Sequence, residues 1–205
     1  MTATDRRRLI TQAAGELFIA RGYSGVSMED VLTAVGGSKA TLYRYFADKS
    51  ELFRASVEAL CDEWSGPLHT FTPRSSNLTE TLVALGEHLA GIVLTPEAIA
   101  LHRLVTAEAV RIPRLGQVFS EHGPSAGHAV LARCIRQACE DGTIKVEDPV
   151  RAAEQLYQAM LGDAQMRLLT DAPVKRTDAE VHTSITTAVE VFLHGVSVGP
   201  ATSTA

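Results

Sequence analysis

The chain has 205 residues, 45% hydrophobic and 21% charged, enough to bury a core and too mixed for a disordered or fibrous protein. Its net charge of −5 argues against a uniformly basic nucleic-acid coat, and no apolar run approaches the ~20 residues that a bilayer span needs. Three cysteines, Cys61, Cys134 and Cys139, form no short framework, which predicts free thiols in a reducing compartment.

The charge is unevenly spread. Residues 1–56 carry eight basic against six acidic side chains, and the remainder carries eleven against eighteen. A basic head on an acidic body suits a DNA-binding segment joined to a part with another task. No signal-type apolar core follows the polar, basic start, so a cytoplasmic location is expected.

The pattern predicts helices nearly throughout. Arg6 to Arg8 read as a flexible basic arm able to touch a nucleic-acid backbone or minor groove. Leu9, Ile10, Ala13, Ala14, Leu17 and Phe18 then form one apolar stripe, which Gly22 ends. Ser27 with Asp30 makes a capping box for a second helix striped by Met28, Val31, Leu32 and Val35. Gly36-Gly37 ends it, Ser38 caps a short third helix, and Asp48 with Glu51 opens a fourth.

Gly66 to Ser76 reads as a loop. Asn77 opens the fifth helix and Pro96 the sixth, with a short seventh over Leu115 to His122. The eighth, striped by Val130, Leu131, Ile135 and Ala138, ends at Asp141-Gly142. Asp148-Pro149 starts a ninth and Thr177 with Glu180 a tenth. The one candidate strand is Thr143 to Val146. The expected fold is all-α: an N-terminal three-helix helix-turn-helix DNA-binding domain (1–54), a helical ligand-binding and dimerisation domain (55–197) and a flexible tail (198–205).

Two short helices joined by a Gly-containing turn make a helix-turn-helix, whose second helix enters the major groove. On that helix Leu42 and Phe46 share the core face, so Ala40 and Arg44 point away, flanked by Thr41 and Tyr43. Arg44 suits a guanine edge or a phosphate, and the Thr41 methyl suits a thymine methyl. Tyr43, Tyr45 and Lys49 suit phosphates. Ser27 and Lys49 sit at helix starts, where N–H groups and the dipole favour an anion.

Residues 9–55 resemble the DNA-binding domain of the TetR family of regulators. The resemblance rests on a Ser-capped helix, then Gly-x-Ser-Lys-x-Thr-Leu-Tyr-x-Tyr-Phe, then x-x-Lys-x-x-Leu-Phe. It implies phosphate contacts from Tyr43, Tyr45 and Lys49 and base contacts within Lys39 to Arg44, with Ser38 at the start. Gly37 departs from the pattern, because many members carry an apolar residue there. Leu101 to Leu169 is more loosely similar to the regulatory domain of AefR-like members. That implies a small-molecule effector pocket and a homodimer through the eighth and ninth helices. A two-fold dimer also suits a palindromic operator.

The ninth helix is apolar on more than one side, through Leu156, Tyr157, Ala159, Met160, Leu161, Ala164 and Leu168. It therefore needs a second partner or a central place in a monomer. Polar residues on apolar faces are pocket candidates: His88 among Leu85, Leu89 and Ile92; Glu108 on the stripe of Leu101, Leu104 and Val105; and Asp163 in the ninth helix. With Phe119, Tyr157 and Met160 they could line a mostly apolar cavity. The alternative for His88, Glu108 and Asp163 is a satisfied core group or a partly exposed side chain.

No nucleotide-loop, nucleophile-elbow or zincin motif is present, and the seven histidines are scattered, so neither an enzyme nor a metal or other cofactor is expected. The expected function is a DNA-binding transcriptional repressor released by a small, mostly apolar ligand. Alternatives are an activator, a ligand-independent regulator, or a helical ligand-binding module with a vestigial helix-turn-helix.

Overall fold

A computed structural model describes residues 2–72, 75, 77–172 and 177–196. The tail expected over 198–205 lies outside them. Among the described residues ten helices run in chain order: α1 (Ala3–Arg21), α2 (Met28–Val35), α3 (Lys39–Tyr45), α4 (Lys49–His69), α5 (Leu78–Val93), α6 (Pro96–Glu108), α7 (Leu115–His122), α8 (Pro124–Glu140), α9 (Pro149–Leu169) and α10 (Asp178–Val196). The expected strand at Thr143 to Val146 does not form, and no strand occurs among the described residues. Ile144 is instead buried as a single side chain in the helical core.

Local chemistry explains most helix starts. Ser27 Oγ accepts from Asp30 N–H, and the Asp30 carboxylate accepts from Ser27 N–H. Ser38 caps α3 through Thr41 N–H, Asn77 caps α5 through Glu80 N–H, and Asp48 Oδ1 accepts from Glu51 N–H. Such caps satisfy N–H groups that a helix leaves orphaned.

Two expectations fail locally. Residues 6–8 are not a flexible arm, because α1 already begins at Ala3, with Thr2 and Asp5 forming a reciprocal capping box. Nor does the loop start at Gly66. Helix α4 continues through Pro67 to His69, and the buried side chain of Leu68 continues the stripe of Leu60, Cys61 and Trp64. Burial of that leucine offsets the one helical hydrogen bond that Pro67 removes.

The chain divides into two compact units, one of residues 1–66 and 96–124, the other of 67–95 and 125–205. The first holds α1–α3, most of α4, α6 and α7. Its centre is aromatic: Phe18 meets Phe53 edge-on with ring centroids 4.8 Å apart, and Tyr23 lies 5.1 Å from Phe53. Leu42 and Phe46 join that core together with Leu101, Val105 and Leu115.

In the second unit α5, α8, α9 and α10 enclose a core containing Leu82, Leu85, Leu89, Leu131, Ile135 and Leu156. Gly86 permits close approach there, since a Cβ would lie 2.7 Å from both Ile185 Cγ2 and Met160 Sδ. Helix α9 buries Leu156, Tyr157, Met160, Leu161 and Ala164, while Ala159 and Met166 stay exposed. No single helix among the described residues is long and apolar enough to cross a membrane.

Candidate nucleic-acid interface

A helix of seven residues is too short to be stable alone, so α3 exists through its anchors. Leu42 is 2% exposed and Phe46 1%. Phe46 ends the helix in extended conformation, and its N–H returns to Leu42 O at 3.1 Å. Arg7 lies over the Phe46 ring, 5.3 Å from its centroid. With these anchors inward, Ala40, Tyr43 and Arg44 are exposed and Thr41 and Tyr45 half-buried. The face of α3 away from Leu42 and Phe46 is thus open to solvent.

Several of its side chains are held in place. Lys39 pairs with Glu29 of α2 at 2.6 Å and also lies over the Tyr43 ring. A hydrogen bond from Lys39 holds the Glu29 carboxyl below its usual range, and the same bond raises the Lys39 ammonium. Arg44 lies over the ring of Tyr45, 5.4 Å from its centroid. The Ser38 and Thr41 hydroxyls are 2.9 Å apart. The hydroxyls of Ser27 and Ser38 are therefore capping groups first.

Lys49 has a role that its position at a helix start does not reveal. Its ammonium donates to the carbonyls of Tyr23 and Val26, both at 3.0 Å, and sits 4.3 Å from the Tyr23 ring centroid. Two of its three donors are thus spent on closing the α1–α2 connection.

The six candidate ligand contacts divide between the units. Glu108 and Phe119 belong to the first. Phe119 stands 5.0 Å from the His102 ring, and the half-buried Glu108 is 3.8 Å from Arg111. His88, Tyr157, Met160 and Asp163 belong to the second. Tyr157 and Met160 are buried in its core, and burial pushes the Tyr157 hydroxyl up to about 12. Asp163 is exposed and ion-paired with Arg167 at 3.0 Å.

His88 borders a cleft of about 660 Å³ with Thr70, Phe71, Ser75, Thr81 and Ala84. Its Nε2 is buried with no hydrogen-bond partner among the described residues. His128, which the sequence did not single out, has the same property and stands edge-on to Tyr157 at 4.7 Å. Burial lowers its imidazole from the ordinary range. Its apolar neighbours, Ala126, Ala129 and Val130, are the sequence signal that could have found it.

A capped helix, a glycine turn and a short anchored helix with an open cationic and aromatic face define a helix-turn-helix DNA-binding protein. Residues 10–56 match the family model described as bacterial regulatory proteins of the tetR family. Residues 80–195, over half of the chain, match that described as the C-terminal domain of AefR-like transcriptional repressors. The chain belongs to the TetR family of transcriptional regulators. Its relatives are regulators, not enzymes.

Among solved structures it is similar to a TetR-family transcriptional regulator from Mesorhizobium loti, with 30% identity, TM-score 0.80, and 97% of this chain and 100% of that one covered. It is also similar to the flavonoid-responsive regulator FrrA, with 27% identity, TM-score 0.82 and the same coverage. Among curated proteins, the transcriptional activator FasR of Mycolicibacterium smegmatis is 36% identical over 58 residues, 28% of this chain and 26% of that protein. The regulator YfiR of Bacillus subtilis is 30% identical over 107 residues, 50% of this chain and 52% of that protein. The matches thus span about a quarter and about half of these two curated relatives.

Proposed function

We propose that this protein is a cytoplasmic repressor that binds a palindromic operator as a homodimer and is released by a small, mostly apolar ligand. The observation that carries the DNA-reading part is the opposition of Leu42 and Phe46, buried, to Ala40, Tyr43 and Arg44, exposed. Residues 1–54 act as the reading domain and 55–197 as the effector and dimerisation domain. Arg44 and Thr41 read base edges. Tyr43 and Tyr45 contact phosphate, as does the one N–H donor of Lys49 not spent on carbonyls; Ser27, Ser38, Lys39 and Ala40 border the contact.

The dimer forms through α8 and α9. The exposed Ala159 and Met166, seven residues apart and on one helical stripe with Gly162, support this reading. The effector enters the second unit near His88, Tyr157 and Met160; Glu108, Phe119 and Asp163 complete the set of candidate contacts. The His88 cleft, where Phe71 and Ala84 stand beside threonines, Glu80 and an unspent ring nitrogen, supports a ligand that carries a hydrogen-bonding group. The name of FrrA, which records a flavonoid response, is compatible with that chemistry.

Selection of bound sites from random duplex DNA tests the proposal. The expected product is an inverted repeat; no enrichment at physiological salt would sink it. With the selected duplex, Arg44→Ala should change base preference and Tyr43→Phe should weaken all duplexes alike. An activator reading is supported by the name of FasR, a transcriptional activator similar over 58 residues. Transcription from the selected promoter, with and without the protein, decides between the two.

A further inference from the structure

We infer that Arg6 is a positioning residue for the recognition helix: it clamps the α2–α3 turn through two backbone carbonyls and so fixes how Thr41 and Arg44 are presented. The inference rests on the DNA-reading function proposed above and adds a residue that lies outside the helix-turn-helix itself.

Helix α2 has no basic residue in its last turn. Its terminal carbonyls carry partial negative charge and lack helical partners. The following Gly36 and Gly37 both have positive φ, 67° and 104°, so the turn contains no side chain of its own to hold it. The missing cation comes from thirty residues upstream. Arg6 Nη1 donates to Val35 O at 3.1 Å, and Nη2 donates to Gly36 O. A planar guanidinium suits this two-carbonyl grip, whereas an ammonium is a point donor.

Two further observations make the grip specific. A Cβ on Gly37 would lie 2.8 Å from Arg6 Nη2, so the glycine that departs from the family pattern is the residue that makes room for the guanidinium. Arg6 itself stands on ordered backbone: its N–H bonds to Thr2 O at 3.0 Å, inside the Thr2–Asp5 capping box. The clamp also borders the reading face. Arg6, Gly36 and Gly37 line one cleft of about 500 Å³ with Thr41, Arg44 and Tyr45.

The competing role is a phosphate contact, and salt dependence separates the two. Neutralising one phosphate changes the slope of log K against log salt by about 0.9. Arg6→Ala, Arg6→Lys, Gly37→Ala and the Arg6→Ala/Gly37→Ala pair are measured on the selected duplex over a salt series. Hydrogen exchange at the Gly36, Gly37 and Ser38 amides is followed in the free protein, with helicity as the folding control.

We expect Arg6→Ala to weaken binding about tenfold or more, since it removes two charge-assisted hydrogen bonds. Base preference should broaden, the salt slope should stay within about half a phosphate's worth, and the turn amides should exchange faster. Arg6→Lys should not restore wild-type binding. Gly37→Ala should cost less in the Arg6→Ala background than in wild type. A slope reduced by about one phosphate with base preference intact would make Arg6 a backbone contact and overturn the inference. So would full rescue by lysine, or unchanged exchange at the turn. The exchange arm needs no DNA, so a failure of DNA reading stays distinguishable from a failure of the clamp.

Discussion

Lys49 donates to the main-chain carbonyl of Tyr23 at 3.0 Å while its ammonium stands 4.3 Å from the centroid of the same residue's ring. One cation thus grips a residue by both backbone and side chain. Because it also holds Val26 O, it braces the chain entering α2 before any nucleic acid arrives. Lys49→Ala should therefore destabilise the free protein by about 1–3 kcal/mol, the range for bonds to a charged group. Urea unfolding measures this. An unchanged midpoint would mean that the lysine serves only bound DNA.

Gly86 faces Ile185 and Met160 with no room for a methyl group. Gly86→Ala should cost about 1–3 kcal/mol through overpacking in the second unit. The loss from Gly86→Ala should be smaller in a Met160→Ala background than in wild type, because one of the two clashing atoms is then gone. Paired unfolding curves check this; independent, additive losses would contradict it.

His122 Nδ1 lies 2.7 Å from Asp62 Oδ1, and that hydrogen bond, with the further charges of Asp62, Glu58 and Glu121, raises the imidazole above its ordinary range. The bonded, charged form is favoured in the folded state. Its stabilisation is fully present below the unfolded value of about 6.5 and is lost as pH rises through the raised folded value. Both partners are partly solvated, so the effect should stay under about 1 kcal/mol. The gap in melting temperature between wild type and Asp62→Asn should be present at mildly acidic pH and close at alkaline pH. A gap that widens with pH would refute the assignment.

The Cys61 thiol is buried, and desolvation pushes it up to about 12. Since the thiolate is the reacting species, Cys61 should resist thiol reagents in the native protein and react only on unfolding. Mass mapping after timed labelling checks this. Native-state labelling of Cys61 as fast as in the unfolded chain would be inconsistent with its burial.

Features written locally were legible in the sequence. The caps at Ser27, Ser38, Asn77 and Asp148 place helix starts because each depends on residues two or three apart. The same signal was present at Thr2 and Asp5, and it would have shown that Arg6 lies on a helix. Asp163 also has its exposed i,i+4 partner, Arg167, visible in the spacing. What the sequence hid depends on distant chain. Lys49 reaches back to residues 23 and 26, and Arg6 reaches forward to 35 and 36. At Pro67 a local breaker signal lost to the burial of Leu68. The candidate ligand residues fall in two different units, and periodicity along single helices carries no information about that division.

The separation of faces on α3 also bears on how such a protein changes. Ala40, Tyr43 and Arg44 are open to solvent, whereas Leu42 and Phe46 are buried in the core and the half-buried Tyr45 packs against it. Exposed substitutions away from caps and networks usually move stability by no more than about 0.5 kcal/mol. The outward positions can therefore vary with little loss of foldedness, while the buried anchors tolerate almost no exchange. Freedom to vary is, in this sense, built into which side of a seven-residue helix faces the core.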